Sequence, residues 1–275
     1  MDPEQTKPTV SVVIPAYNAE GTLRQMLDSV FNQTWREMQI ILVDDGSRDR
    51  TLEIAREAAA DDPRLTVIAQ ENLGVSATRN GGIALCKGKY VRFVDADDTL
   101  PAESMERMVR RAEQDGSDLV IGGYDQYFGE KKSYHNLAAR NDTVYCDRIM
   151  DHLCGHANSY FYGVLWNKLF LREKMEQTAC RFQEKLTWGE DFAFVMDYLA
   201  GVRQISFMNE SLYHYRRTAG STSVQQVIDC VKHPIGNIQI KKELYSHLKG
   251  MYQKRGEYEK YRKRLWMYLF RVGLG

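Results

Sequence analysis

Short segments rich in β-branched residues alternate with helical segments through the first 123 residues of the chain. The expected strands are the apolar runs at 10–14, 39–43, 65–69, 90–94 and 118–122, and helical periodicity is clearest between them at 51–60, 75–85 and 101–114. Strands that alternate with helices in this order form a parallel sheet covered by helices. The pattern therefore predicts an α/β fold with a mainly parallel central sheet flanked by helices.

Polar residues follow three of the expected strands. They are 15–18 (Pro-Ala-Tyr-Asn), 44–47 (Asp-Asp-Gly-Ser) and 95–98 (Asp-Ala-Asp-Asp). Because ligands of such sheets bind at the carboxyl ends of the strands, these segments are the expected site. The chain contains neither Gly-x-Gly-x-x-Gly after its first strand nor Gly-x-x-x-x-Gly-Lys-Ser/Thr. This argues against a dinucleotide dehydrogenase and against a P-loop nucleotidase.

Three carboxylates, those of Asp95, Asp97 and Asp98, directly follow the apolar run at 90–94. Carboxylates at the end of a buried strand repel one another and lose solvation, and a divalent cation is the usual compensation. A solvated acidic turn is the alternative, because Asp is common in turns and at helix N-termini. These four residues alone do not separate the two interpretations.

The charge balance excludes one class of partner. Lys plus Arg and Asp plus Glu each total 37, so no net basic field favours nucleic acid. Residues 1–8 are polar, unlike a secretion signal, and no apolar run has the length of a membrane span. Five scattered cysteines without a Cys-x-x-Cys pair are typical of free thiols in a reducing compartment. A cytoplasmic location is therefore expected.

Five segments occur in an order that resembles a known family. They are 10–18 (Val-Ser-Val-Val-Ile-Pro-Ala-Tyr-Asn), 43–47 (Val-Asp-Asp-Gly-Ser), 72–80 (Asn-Leu-Gly-Val-Ser-Ala-Thr-Arg-Asn), 95–98 and 188–191 (Trp-Gly-Glu-Asp). Together they resemble family 2 glycosyltransferases with the GT-A fold. The resemblance implies an inverting enzyme that moves a sugar from a nucleotide diphosphate, expected to be uridine diphosphate, to a hydroxyl acceptor. Its relatives build bacterial cell-surface polysaccharides or glycoconjugates.

Donor binding is expected along the strand ends and in a later basic segment. Tyr17 offers a flat face to a base, and Asp45 offers an acceptor to a base N–H, with loop packing and a turn cap as the alternatives. Arg79 is expected to face the nucleotide beside Asp45 rather than solvent. Residues 213–222 resemble the segment that closes over the diphosphate, with a basic surface loop as the alternative. The expected donor-binding residues are Pro15, Ala16, Tyr17, Asn18, Asp45, Arg79, Asp95, Ala96, Asp97, His214, Arg216, Arg217 and Ser221.

The resemblance assigns Asp95 and Asp97 to an Asp-x-Asp signature. One carboxylate would lie near the ribose, and Asp97 or Asp98 would bind Mn²⁺ or Mg²⁺, which prefer oxygen ligands. The sequence does not divide these duties, so Asp97 and Asp98 are both expected metal ligands.

Asp191 is the expected general base, because an acceptor hydroxyl becomes a competent nucleophile only as its proton is removed. Glu190 is expected to assist in positioning. Both residues also begin a predicted helix at 192–200, where negative charge is favourable in any case. A glycoside hydrolase with paired carboxylates and a non-catalytic nucleotide-sugar-binding protein are the alternative functions.

The expected organisation is one domain at 1–223, with a nucleotide-binding half at 9–123 and an acceptor half at 124–223 for a glycan or lipid-linked acceptor. Residues 224–275 are expected to form a basic, aromatic-rich helical extension. Residues 232–271 could lie on the inner face of an anionic membrane. Packing on the domain or on a second subunit of a homo-oligomer is the alternative. The abrupt end of the sequence also allows a chain that is cut short.

Overall fold

The computed structural model describes residues 8–156, 160–217 and 234–268. Its first half contains four parallel strands, β1 (Val10–Ala16), β2 (Met38–Asp44), β3 (Leu65–Ala69) and β4 (Tyr90–Phe93), in the order β3-β2-β1-β4. Helices α1 (Leu23–Phe31), α2 (Thr51–Asp61) and α3 (Val75–Ala84) connect them. Val12 and Val13 of β1 point to opposite faces of the sheet, and both are fully buried. A strand buried on both faces is typical of a parallel sheet covered by helices.

The second half of the sheet mixes strand directions. After α4 (Ser104–Asp115), the strands of this half are β5 (Leu119–Phe128), β6 (Lys131–His135), β7 (Asp142–Tyr145), β8 (Lys168–Leu171) and β9 (Gln204–Arg216). Strand β8 lies between β4 and β5 and is antiparallel to both, whereas β9 is parallel to β5. Strands β6 and β7 are antiparallel to β5 and β9. The fold is thus α/β with a large central sheet flanked by helices, and the sheet is parallel from β1 to β4 and mixed beyond them.

The helix predicted from residue 101 begins three residues later, at Ser104. The side chain of Gln33 holds this start, because its Nε2 donates to the carbonyl oxygen of Pro101 (2.8 Å) and its Oε1 accepts from the backbone N–H of Met105 (2.9 Å). Contacts from the loop after α1, which is distant in sequence, therefore hold this helix boundary.

Six further helices complete the described part of the chain. They are α5 (Cys146–Gly155), α6 (Tyr160–Gly163), α7 (Arg172–Gln177), α8 (Glu190–Leu199), α9 (Pro234–Lys254) and α10 (Tyr258–Trp266). Helix α9 packs on α8, and α10 packs on α5 and α9. We call α9, α10 and the two residues that follow them, up to Tyr268, the helical extension.

Many apolar side chains of the helical extension are buried, whereas Ile238, Trp266 and Met267 are exposed. Leu244, Leu248, Met251 and Leu265 are each at most 2% exposed. In the structure, this segment therefore packs on the domain, which was one of the expected alternatives to membrane contact. No helix among the described residues is both long enough and apolar enough to cross a membrane. The predicted boundary at 223/224 lies outside the described residues.

Candidate active site

The carboxyl ends of β1, β2 and β4 meet at one edge of the sheet, as predicted. The backbone N–H of Asp45 donates to the carbonyl oxygen of Ala16 (2.8 Å), which joins the first two strand ends. Pro15 and Ala16 belong to β1 itself, and Ala96 is buried within the turn at 95–98.

The loop after β1 is fixed to the loop after β2. Asn18 adopts a left-handed conformation (φ 48°), and its Oδ1 accepts a hydrogen bond from the backbone N–H of Arg48 (2.8 Å). The backbone N–H of Asn18 donates to Ser47 Oγ (3.0 Å). Tyr17, between these anchors, is 47% exposed. An aromatic face held open by a fixed loop is suited to stack on a planar ligand.

Asp45 is buried and organises the loop at 70–74. Its Oδ1 accepts from Gln70 Nε2 (2.8 Å) and from the backbone N–H of Leu73 (2.9 Å), and its Oδ2 accepts from the backbone N–H of Gly74 (2.9 Å). Both carboxylate oxygens therefore already have donors within the protein. Leu73, held by this contact, is 63% exposed at the rim of the site.

Arg79 pairs with carboxylates at the end of β4 and at the start of α8, and its expected place beside the nucleotide stays a prediction. Its guanidinium contacts Asp95 Oδ1 (3.2 Å), Glu190 Oε1 (3.3 Å) and Asp191 Oδ1 (2.6 Å). It also lies over the ring of Phe182, 5.3 Å from the centroid. Arg79 is only 5% exposed, and a buried cation requires anionic partners. Asp45 has its own donors and is not available to it.

Arg79 therefore joins the end of β4 to the start of α8. Burial lowers the pKa of Arg79, but Asp191, Asp95 and Glu190 together raise it above its ordinary value. Burial raises the pKa of Asp191, Arg79 opposes that shift, and Glu190 and Asp95 reinforce it. Three carboxylates share one cation here, so the cluster retains an excess of negative charge.

Asp97 and Asp98 have different surroundings. Asp98 is 1% exposed, and its carboxylate accepts hydrogen bonds from Tyr213 Oη (2.7 Å) and from the backbone N–H of Arg216 (2.7 Å). Burial, Asp97 and Asp95 raise the pKa of Asp98 well above its ordinary value. Its contacts tie the turn at 95–98 to β9.

Asp97 is the member of this pair that is open to a ligand. Within the described ranges, no other residue donates a hydrogen bond to its carboxylate. Burial and the charge of Asp95 raise the pKa of Asp97 to about 6. The described residues contain no group of three or more His, Cys, Asp or Glu side chains that could hold a metal on their own.

The basic residues on β9 and just beyond it contact different parts of the protein. His214 Nε2 lies 3.7 Å from Asp125 Oδ2, and burial lowers the pKa of His214 although Asp125 opposes this. Arg216 Nη1 donates to Gln25 Oε1 (2.8 Å), and Arg216 lowers the pKa of Asp97. Arg217 is exposed, and its backbone N–H donates to the carbonyl oxygen of Tyr127 (2.9 Å). Ser221 lies outside the described residues.

Tyr213 has a role at the site that sequence reasoning missed. Its hydroxyl accepts from the backbone N–H of Asp95 (3.1 Å) while donating to Asp98, and its ring stacks on Trp166 (4.6 Å between centroids). Nothing in the local sequence distinguishes it from its neighbours.

The buried position of Lys168 was also not predicted from the sequence. It is fully buried, and its ammonium donates to the carbonyl oxygens of Phe161 (2.8 Å) and Val164 (2.5 Å) and to Asn167 Oδ1 (2.9 Å). A single lysine within the apolar run at 164–170 was the available signal.

Comparison with known proteins connects this geometry to a family. The family model "Glycosyl transferase family 2" matches residues 11–207. The chain is 32% identical over 242 residues to the uncharacterized glycosyltransferase EpsJ of Bacillus subtilis (strain 168), covering 87% of this chain and 70% of EpsJ. It is 30% identical over 226 residues to the minor teichoic acid biosynthesis protein GgaB of the same organism, covering 78% of this chain and 24% of GgaB.

Among solved structures, Staphylococcus aureus TarS 1–349 in complex with UDP-GlcNAc has a similar fold. The TM-score is 0.76 at 20% sequence identity, over 93% of this chain and 72% of that one. The range matched by the family model includes the turn at 95–98 and the start of α8, and it ends before the helical extension.

Proposed function

Because this chain belongs to glycosyl transferase family 2 and is therefore a glycosyltransferase, we propose that it inverts the anomeric carbon of a uridine diphosphate sugar while transferring the sugar to a hydroxyl acceptor. The acceptor we propose is a growing bacterial cell-surface polysaccharide or glycoconjugate. The name of GgaB, a teichoic acid biosynthesis protein, supports this class. The observation that carries the proposal is the cluster of Arg79 with Asp95, Glu190 and Asp191, next to the open carboxylate of Asp97.

The proposed donor site uses the strand ends. Tyr17 would stack on the uracil, and Arg216 would pair with the diphosphate on the side of Asp97. Asp45 would act mainly by shaping the loop at 70–74, with its remaining acceptor capacity directed to the base. TarS, which has a similar fold, was solved with UDP-GlcNAc, and the proposed uridine nucleotide follows that ligand.

A divalent cation fits the residues present. Asp97 is a partly buried carboxylate with no donor from another described residue, and burial and the charge of Asp95 raise its pKa. We propose that Asp97 would hold Mn²⁺ or Mg²⁺ and that the remaining ligands would come from the donor's diphosphate. When bound, such an ion supplies positive charge that stabilises the departing nucleoside diphosphate. Asp98 has its carboxylate engaged with β9 and would keep the turn in place instead.

Asp191 is the proposed general base. Its carboxylate would take the proton of the acceptor hydroxyl while the hydroxyl oxygen attacks the anomeric carbon and the bond to the diphosphate oxygen breaks. Burial raises the pKa of Asp191, which makes it a stronger base, and the Arg79 guanidinium favours the ionised form that can accept a proton. Glu190 shares Arg79 and would fix the orientation of this group.

The helical extension leaves a basic surface that could meet an anionic membrane. Lys260, Arg262, Lys263 and Trp266 are exposed on α10, although Arg262 also pairs with Glu259. We propose peripheral contact at this surface, where a lipid-linked acceptor would be found. A cytoplasmic location and a homo-oligomer stay predictions.

Thermal stabilisation by nucleotide sugars tests the proposed donor. A ligand at 100 times its Kd stabilises the folded state by about 2.7 kcal/mol, and this raises the Tm by roughly 5–10 °C for a domain of this size. UDP-glucose, UDP-galactose, UDP-GlcNAc and UDP-GalNAc would be compared with GDP-mannose, each with and without Mn²⁺. We expect a Mn²⁺-dependent shift with at least one uridine nucleotide and its loss in Asp97→Asn. A shift with GDP-mannose alone, or no shift at all, would contradict the proposed donor.

A further inference from the structure

The helical extension contacts α8 at its first turn and at its last turn. Helix α8 carries Glu190 and Asp191 in its first turn. The family model ends at residue 207, before the extension begins. The extension is thus a part of this chain, outside the matched range, that packs on the helix with the proposed base.

The first turn of α8 is held from outside by Leu244. Gly189, directly before Glu190, has a left-handed backbone (φ 76°). A Cβ built on Gly189 would lie 2.7 Å from Cδ1 of Leu244, so the leucine side chain sits directly against the backbone there. Leu244 is 2% exposed. One residue past Asp191, the ring of Phe192 stacks on Tyr268 at the end of the extension (5.6 Å between centroids, 12° between planes).

Polar contacts hold the rest of the helix. His247 Nδ1 lies 2.9 Å from each carboxylate oxygen of Asp197. Arg255 Nη1 donates to the carbonyl oxygens of Leu199 (3.1 Å), the last residue of α8, and of Val202 (2.7 Å), just beyond it. Contacts at both ends restrict sliding and rotation of α8 about its axis.

We infer that the helical extension positions the catalytic carboxylate, with Leu244 as the positioning residue that sets the backbone just before Asp191. This inference rests on the proposed role of Asp191 as general base. The main physical argument is the sensitivity of catalysis to geometry, since a displacement of about 1 Å at a reacting group can lower a rate by about 10²-fold. Truncation of Leu244 removes the atoms that contact Gly189, whereas Arg79 stays in place on the other side.

Two matched truncations separate positioning from general destabilisation. Leu244→Ala and Leu265→Ala each remove a buried leucine from the extension, but Leu265 lies on α10, which packs on α5 and α9. We expect Leu244→Ala to lower kcat for UDP release about 10-fold or more, with the KM for the donor within about twofold of the wild-type value. Leu265→Ala should leave kcat within about twofold. Leu244→Val, a smaller truncation, should lower kcat about threefold and covers the case in which the alanine variant does not fold.

A double-mutant comparison with Asp191→Asn identifies the route of the effect. If Leu244 acts through Asp191, Leu244→Ala has no further effect on kcat in the Asp191→Asn background. The inference would be overturned if Leu244→Ala lowered kcat equally in both backgrounds. It would also be overturned if kcat were unchanged in the Leu244 variants, or if Leu265→Ala lowered kcat as much as Leu244→Ala. Undiminished turnover in Asp191→Asn alone would instead refute the proposed base, so the two failures are distinguishable.

Hydrogen exchange supplies a readout that needs no substrate. Amides in the first turn of α8 should exchange at least threefold faster in the Leu244 variants than in wild type and Leu265→Ala. Equal exchange in all of these proteins would also overturn the inference.

Discussion

Replacement of Arg79 by methionine tests the charge cluster on which the site is built. The variant keeps much of the side-chain length but removes the only charge that Asp95, Glu190 and Asp191 share in the described contacts. Breaking a buried ion pair from one side costs about 3–5 kcal/mol of unfolding free energy. The side chains of Asp95 and Asp191 are 29% and 24% exposed, so partial solvation favours the lower end, about 3 kcal/mol at a pH where all three carboxyl groups are ionised.

The cost should depend on pH in a defined direction. Without Arg79, the pKa of Asp191 rises further above the value of about 3.9 in the unfolded chain. A carboxyl group whose pKa is raised by folding binds more protons in the folded state, so stability falls as the pH rises from the unfolded pKa to the folded pKa. Folding raises the pKa of Asp191 to about 8 in wild type, so below pH 8 this group is protonated in both folded proteins. The deficit of Arg79→Met relative to wild type should therefore stay at about 1 kcal/mol between pH 5 and 7 and grow above pH 8.

Urea unfolding at pH 6, 7, 8, 9 and 10 measures this deficit, provided that the m-values of the two proteins agree. Arg79→Lys is the matched control, because it keeps the charge but not the forked geometry, and it should lose about half as much stability. A deficit that stays constant across this pH range would refute the electrostatic account of the cluster and assign the effect of Arg79 to packing on Phe182.

Four other variants test the metal site, the buried lysine and the basic surface. Asp97→Asn should abolish Mn²⁺-dependent binding of UDP in isothermal titration. Asp98→Asn should retain this binding and lose about 1–3 kcal/mol of unfolding free energy. Binding lost in Asp98→Asn and retained in Asp97→Asn would show that Asp98 holds the ion. Lys168→Met should cost about 3–5 kcal/mol in urea unfolding, because its buried acceptors lose their donor, and a cost below 1 kcal/mol would contradict that role. Lys260→Glu with Lys263→Glu should weaken co-sedimentation with phosphatidylglycerol vesicles by about 10-fold or more, and unchanged binding would remove this surface from membrane contact.

The first half of the fold could be predicted from the sequence because its signals are local. The strand predicted at 65–69 has the bounds of β3, and those predicted at 10–14 and 39–43 lie within β1 and β2. In each case an apolar run lies next to a helical pattern. The mixed half could not be predicted in this way, since β8 pairs with β4 and β5 through contacts that no local pattern specifies.

For the site as well, local features could be predicted from the sequence and long-range contacts could not. The apolar run at 90–94 predicted the position of Asp95, Asp97 and Asp98 at the end of a strand. The partners of Arg79 are 16, 111 and 112 residues away, and those of the Asp98 carboxylate are 115 and 118 residues away. The difference between an open Asp97 and an engaged Asp98 arises only when β9 returns beside the turn, so sequence left both as equal candidates.

Comparison of Asp191→Asn with wild type tests the central claim most directly. Both proteins would be assayed for thermal stabilisation by a UDP-sugar with Mn²⁺ and for release of UDP, with Glu190→Gln as the matched neighbour. We expect equal stabilisation by the donor, a loss of about 10²–10⁴-fold in turnover for Asp191→Asn, and a smaller loss for Glu190→Gln. Wild-type turnover in Asp191→Asn would contradict the assignment of Asp191 as the base.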